Sequence, residues 1–240
     1  MSPLRSTVTL PAVVVGLATF LVVLIPGTGL PVAVVAGVIV ASTFARVVSG
    51  RAVGVVRRSL NARPALVGEF PRLHNTVGGL CLTHGIDIPE LFVIDSPAGN
   101  AAAMAGREGT SIVLTTGAAD RLGLVELEAL VAHLLVRCGD DGLRADTTKA
   151  SMGRLAGPRL VATANTGPDR LMQVDFDGAD LTRFPPGMQT ALQALADLGS
   201  EVDAPRSTSR LWLLQPDGRT DVGTASHPTV EVRVAALGEC

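Results

Sequence analysis

The residues best placed to do chemistry lie in the run Ala132-His133-Leu134-Leu135-Val136-Arg137-Cys138. On a helix, two histidines at i and i+4 share one face and can clamp Zn²⁺. A glutamate between them then serves as general base for metal-assisted hydrolysis, in the pattern H-E-x-x-H. Here His133 matches the first ligand alone: Leu134 stands where the base would be and Arg137 where the second ligand would be. A lone histidine in an apolar helix is more often a satisfied core residue than a ligand. The three cysteines, Cys81, Cys138 and Cys240, are an odd number at spacings that fit no zinc or disulfide framework, and they read as free thiols in a reducing compartment. Cys138 adjoins the helix and is a weaker candidate ligand or nucleophile, with no base beside it in sequence.

The elements that must position these residues follow from periodicity. Helical spacing of apolar residues predicts helices over Val53–Leu60 and Glu69–His84, separated by Pro64, with Gly85 capping the second. Leu91–Ile94 and Ser111–Thr116 read as strands. Between them, Ser96-Pro97-Ala98-Gly99-Asn100 leads into the small residues Ala101, Ala102 and Ala103, which let another backbone come close. Val125–Arg137 is a strongly apolar helix with Glu126 and Glu128 near its start, where the dipole favours acids. A less regular stretch from Asp140 to Thr166 precedes a helix over Asp169–Phe176. Pro185-Pro186-Gly187 is expected to break the chain before helical spacing resumes at Met188–Leu198, and Pro228–Leu237 reads as a terminal helix. Asp140 and Asp141 read as a solvated turn, Glu201–Ser209 as a loop, and His227 as a cap for the last helix.

At 240 residues the chain has room for one domain plus extra segments. It is 47% hydrophobic but only 3% aromatic, which fits a chain that places part of itself in a bilayer. A net charge of −2 excludes the basic footprint of a nucleic-acid binder. Lys149 is the one lysine, a bias associated with GC-rich bacterial genomes.

From Ser6 to Ala45 no residue is charged, and a span needs about 20 apolar residues, so two spans fit. Pro26-Gly27-Thr28-Gly29-Leu30-Pro31 breaks the run into spans near 8–25 and 30–45. No polar region with a cleavage site separates the two, which argues against a signal peptide. Arg5 precedes the first span, and Arg46, Arg51, Arg57 and Arg58 follow the second. The positive-inside rule therefore expects both termini in the cytoplasm. The domains are expected at 1–50, a transmembrane hairpin, and 51–240, a cytoplasmic domain.

In its order of motifs the chain resembles the HtpX-like membrane zinc metallopeptidases, the family that includes the CaaX prenyl proteases, over nearly its whole length. Ile88–Asp95 is similar to the family's strand before the cleft, and Asn100-Ala101-Ala102-Ala103 to its N-A-x-A edge strand. Leu181-Thr182-Arg183-Phe184-Pro185-Pro186-Gly187 resembles the segment after the third ligand, and His227-Pro228 with Arg233 matches the closing H-P-x-x-x-x-R. The family pattern R-E-x-x-A-D aligns with Arg170-Leu171-Met172-Gln173-Val174-Asp175. That alignment puts Leu171 at the third ligand and leaves Asp175 in the place of the acid that orients a ligand histidine.

The resemblance implies an α+β, mostly helical chain: an N-terminal two-helix transmembrane hairpin, then a zincin-like domain with a small sheet. It is expected in the inner or plasma membrane. With one imidazole, two leucines and a permanently charged arginine at the chemical positions, neither a structural nor a catalytic zinc site is complete. No cofactor and no catalysis are expected. The expected function is that of a pseudopeptidase whose partners are the bilayer and a peptide or membrane protein, the peptide held at Asn100–Ala103. His133 is then a leftover ligand, and Asp175, His227 and Arg233 are supporting residues. Two alternatives stand beside it: a membrane adaptor with a closed cleft, and an active metalloendopeptidase with a site rebuilt from His133, Asp175, His227 or Cys138.

Overall fold

The computed structural model describes residues 3–25, 29–153, 168–224 and 226–239. The turn residues Pro26, Gly27 and Thr28, the later part of the irregular stretch before Thr166, and Cys240 lie outside them. The chain is mostly helical with one small mixed sheet.

The uncharged run forms α1 (Pro3–Leu24) and α2 (Leu30–Ser59). Among the described residues, α2 is one helix long and apolar enough to cross a membrane, while the apolar part of α1, Pro11–Leu24, is shorter. The two pack together where neither has a side chain: a Cβ on Gly37 would sit 2.8 Å from the Gly16 carbonyl oxygen. Their outer faces leave Val14, Leu17, Val38 and Ile39 more than half exposed. The separate helix expected over Val53–Leu60 is instead the end of α2, since no proline interrupts residues 46–59. The boundary expected at residue 50 therefore falls inside a continuous helix, which carries the chain straight from its apolar segment into the core at Val56 and Leu60.

Next come β1 (Arg63–Pro64), α3 (Pro71–His84) and β2 (Glu90–Ile94). Gly85 ends α3 in the left-handed conformation at φ 65°, its N–H donating to Cys81. β3 (Ala101–Ala105) and β4 (Thr110–Thr115) complete a sheet of order β1-β2-β4-β3, in which β2 and β4 run parallel and β3 pairs antiparallel with β4. β3 is thus an edge strand.

After the short α4 (Thr116–Arg121) comes α5 (Leu124–Cys138), whose start is fixed by Glu126 accepting from the Gly123 N–H at 2.6 Å. Its side chains from Leu127 to Leu135 are buried almost without interruption, as suits a helix covered on most sides. α6 (Leu143–Met152) packs on α1 and α2, and α7 (Pro168–Thr182) packs on α5. α7 is longer than the helix expected over Asp169–Phe176. It approaches α5 closely because Gly178 faces His133, where a Cβ would lie 2.9 Å from the His133 Cα.

The expected break at Pro185-Pro186 is instead the first turn of α8 (Pro185–Asp197). Proline's fixed φ and missing N–H suit the start of a helix, where that N–H would have no partner anyway. A 3-10 turn (Arg206–Leu211) and α9 (Val230–Leu237) follow, α9 capped by the Thr229 hydroxyl, which accepts from Val232 at 3.3 Å.

Candidate functional site

Around His133 the structure assembles two charged layers. The inner layer is Asp175 on α7 held by Arg233 on α9 through two hydrogen bonds, Nε to Oδ2 and Nη2 to Oδ1, both 2.7 Å. This planar two-point pairing is the strong form of a carboxylate bond. Burial opposes ionisation of Asp175, but Arg233 outweighs it and holds the carboxyl below the usual range. His133 Nδ1 lies 2.9 Å from the same Asp175 Oδ1, yet out of line for a hydrogen bond. Among the described residues it is the one buried side-chain nitrogen or oxygen with no hydrogen bond. Burial pushes the His133 pKa down, against the pull of Asp175, which favours the neutral ring.

The outer layer centres on Arg137, only 7% exposed. Its Nη1 donates to Asp140, its Nη2 donates to Asp146 at 3.2 Å, and Nη2 also reaches the Arg210 carbonyl at 3.3 Å. Asp140 is also gripped by Arg170 through Nε at 2.6 Å and through Nη2. The expectation of a solvated turn at Asp140 therefore fails: its side chain is 4% exposed, because two guanidiniums and the Gly142 N–H converge on it. Asp141 is exposed as expected. Sequence reading also passed over Asp146 and Arg210, and gave Arg170 only a place in the aligned pattern, without its role on Asp140. The one signal for Asp146 was an acid on an otherwise buried helical face.

The residues aligned with chemical positions part company. Arg137 and Leu171 line one small cleft, together with the apolar Val174 and Trp212 and the polar Ser226 and His227. Leu134 points away into the core at 1% exposure. Among the described residues, no three His, Cys, Asp or Glu side chains converge to hold a metal. The donor set beside His133 does not suit zinc, since the next group on the α5 face is a guanidinium already bonded to acids. Burial pushes the Cys138 thiol up to about 12, which disfavours the thiolate that a nucleophile or metal ligand needs.

His227 does not cap α9. It is buried, its Nε2 bonds the Trp212 carbonyl at 3.0 Å, and its Nδ1 meets the Ser226 hydroxyl at 3.0 Å. A carbonyl accepts only, so Nε2 carries the proton and Nδ1 accepts from the serine. Burial first, then Arg233 and Arg137, push this histidine down to about 4.

The edge strand β3 is covered by the chain itself. Trp212 bridges antiparallel to Ala102, and the Leu213 N–H donates to the Ala101 carbonyl at 2.8 Å. Nearer the other end, the Ala105 N–H donates to the Thr147 hydroxyl at 3.1 Å. Asn100, fully buried, accepts from Ala101 and Leu214 N–H and donates to the Ser200 and Leu214 carbonyls, using its whole amide. Arg233 Nη1 donates to the Leu213 carbonyl at 2.8 Å. Asn100, His227 and Arg233 thus all fasten the segment Trp212–Leu214 across β3. The expectation that Asn100–Ala103 offers its edge to a peptide meets a filled edge: Ala101, Ala102 and Ala103 are fully buried.

Comparison with known proteins gives relatives of one kind. The chain is similar to the Protease HtpX homolog of Ligilactobacillus salivarius, 24% identical and covering 88% of this chain and 85% of that protein. It is 27% identical to the Protease HtpX homolog of Dictyoglomus thermophilum, over 70% of this chain and 69% of the relative. That of Dictyoglomus turgidum is 28% identical over the same shares. No family model and no solved structure matches.

Proposed function

We propose that this chain, which belongs with the HtpX-like membrane metallopeptidases, is a membrane-anchored pseudopeptidase: a zincin-like scaffold on a two-helix transmembrane hairpin, without catalytic zinc. The observation that carries this reading is Arg137, locked between Asp140 and Asp146 at the position where the motif needs its second histidine. A permanent cation there repels a divalent metal, and the neighbouring leucines bring no lone pairs. The membrane clause rests on the uncharged run of α1 and α2 with arginines at both ends. The domain then faces the cytoplasm.

Metal analysis of the detergent-purified chain tests this, with peptide-cleavage assays in the presence and absence of chelator. The expected result is zinc far below one per chain and no chelator-sensitive cleavage. Stoichiometric zinc with cleavage abolished by His133→Ala overturns the reading in favour of a rebuilt active site.

The segment fastened across β3 favours the closed-cleft adaptor over a peptide-binding form. An added strand needs free main-chain groups, and at Ala101 and Ala102 those are already paired. On this reading the protein acts through surfaces other than the β3 edge.

A further inference from the structure

The direction in which α2 meets the sheet fixes which end of the sheet lies nearest the uncharged segments. A Cβ on Gly106, in the turn between β3 and β4, would lie 2.9 Å from Val53 Cγ2. One helical turn later the Arg57 guanidinium stands 4.8 Å from the centre of the Phe92 ring, and after α2 ends Arg63 pairs with Val93. α2 therefore runs along the sheet from the β3–β4 turn toward the far ends of β2 and β4. The starts of β2 and β4, where Glu90 pairs with Ser111, lie at the same end as that turn.

The packing of α1 on α2 supplies a depth. The two helices touch at Gly16 and Gly37. Counted equally along both from that contact, Arg5 comes level with Val48, close to Arg46, the first charge on α2. Val53 lies about 8 Å beyond Val48 at the rise of an α-helix. The headgroup layer of a bilayer is about 5–8 Å thick on each side, so the β3–β4 turn is held against the headgroups.

At this end stand Leu82, 88% exposed, and Ile88, 70% exposed, the two most exposed large apolar side chains among the described residues outside α1 and α2. Leu82 is in the last turn of α3, beside Cys81, whose thiol faces the Asp87 carbonyl, and Ile88 leads into β2. One exposed leucine needs no explanation, but the two most exposed apolar side chains set on one end, level with a bilayer surface, suit lipid. Asp87, Glu90, Arg107 and Glu108 are exposed around them, charges of both signs, so apolar burial rather than charge drives the contact.

We infer that Leu82 and Ile88 insert into the leaflet that α2 leaves and seat this end of the sheet on the lipid surface. The inference rests on the reading of α1 and α2 as a transmembrane hairpin.

Fluorescence quenching by spin-labelled lipid tests it on the full chain in phosphatidylcholine vesicles. Leu82→Cys, Ile88→Cys, Leu124→Cys and Val38→Cys are made one at a time, with the native cysteines replaced, and each is labelled with an environment-sensitive fluorophore. Leu124, 66% exposed, begins α5, about 20 Å from the end of that helix at Cys138, which meets Thr110 at the start of β4. Lipid labelled near the top of its acyl chain should quench at Leu82 and Ile88 at least twice as strongly as at Leu124. Lipid labelled deep in the chain should quench at Val38, which checks the hairpin itself. A fluorophore at Glu108→Cys, on the turn, should lose about half its quenching when Leu82→Ser and Ile88→Ser are added, which separates anchoring by the pair from mere nearness of α2. Quenching at Val38 with Leu82 and Ile88 no higher than Leu124, or a Glu108 signal indifferent to the double change, overturns the inference and leaves the hairpin standing. No quenching at Val38 overturns the hairpin, and this inference with it.

Discussion

Truncating Arg137 to methionine keeps the apolar stem and removes the guanidinium, and Asp146 then keeps its burial without its hydrogen-bonded cation. Burial already pushes the Asp146 pKa up, against the pull of Arg137, Arg210 and Lys149. Breaking such a pair from one side costs about 3–5 kcal/mol. Arg137→Met should therefore lower the urea midpoint sharply, while the double variant Arg137→Met, Asp146→Leu should recover part of the loss. His227 gives a pH signature. Its folded pKa of about 4 lies below the ordinary 6.5, so the unfolded chain binds the extra proton between those values. The stability it contributes, at most about 3 kcal/mol, is complete above pH ~6.5 and lost as pH falls toward ~4. Unfolding followed at pH ~7.5 and ~5 should show this fall, and His227→Gln should flatten it. The slope that remains belongs in part to buried His133, whose pKa is lowered in the same sense. An unchanged pH dependence in His227→Gln would contradict the burial argument.

The segment Trp212–Leu214 behaves as a fifth member of the sheet although it is not a strand. Asn100 holds it from below with both ends of its amide. Asn100→Ala leaves several buried backbone groups unpaired, each worth about 1–3 kcal/mol, so a total loss of 3 kcal/mol or more is expected. Amide exchange locates the effect: Leu213 and Leu214 should lose protection well before β2 or β4. At this scale the sequence was readable wherever order is local. The helix ending at Gly85, the strands near 91–94 and 111–116, and the apolar helix over 125–137 all follow from period and capping. The Pro185-Pro186 pair misled because the same residues that stop one helix are well suited to start the next. Leu211–Leu214 is a short apolar run with no periodicity to show its role, since its partner is β3, more than a hundred residues earlier, and no local pattern encodes such a pairing.

For the whole molecule, the charge pattern predicts topology. In a background with the native cysteines replaced, a cysteine at Gly29 should be labelled from outside intact cells, and one at Ser209 only after permeabilisation. External labelling at Ser209 would reverse the orientation. How the rest of the chain meets α1 and α2 was less legible, because α2 crosses the expected boundary without a break and α6 packs back against it. The site divided in the same way. Helical spacing brought out His133, and the family resemblance Asp175, His227 and Arg233, which the fold gathers around one centre. The acids that neutralise Arg137 stayed hidden, because Asp140 reads as turn and Asp146 as an ordinary helical acid until their burial is seen.

That arrangement also sets the order in which mutations can accumulate. A histidine arriving at position 137 would find Asp146 buried, Asp140 stripped of a partner, and Leu171 still unable to offer a lone pair. A first step toward a metal centre would thus be a loss, with no gain until at least two other positions had changed. Drift around the cleft is steered instead toward changes that keep the guanidinium and its acids together. Lineages carrying this knot should vary at Leu171 or Met172 long before they vary at Arg137, Asp140 or Asp146.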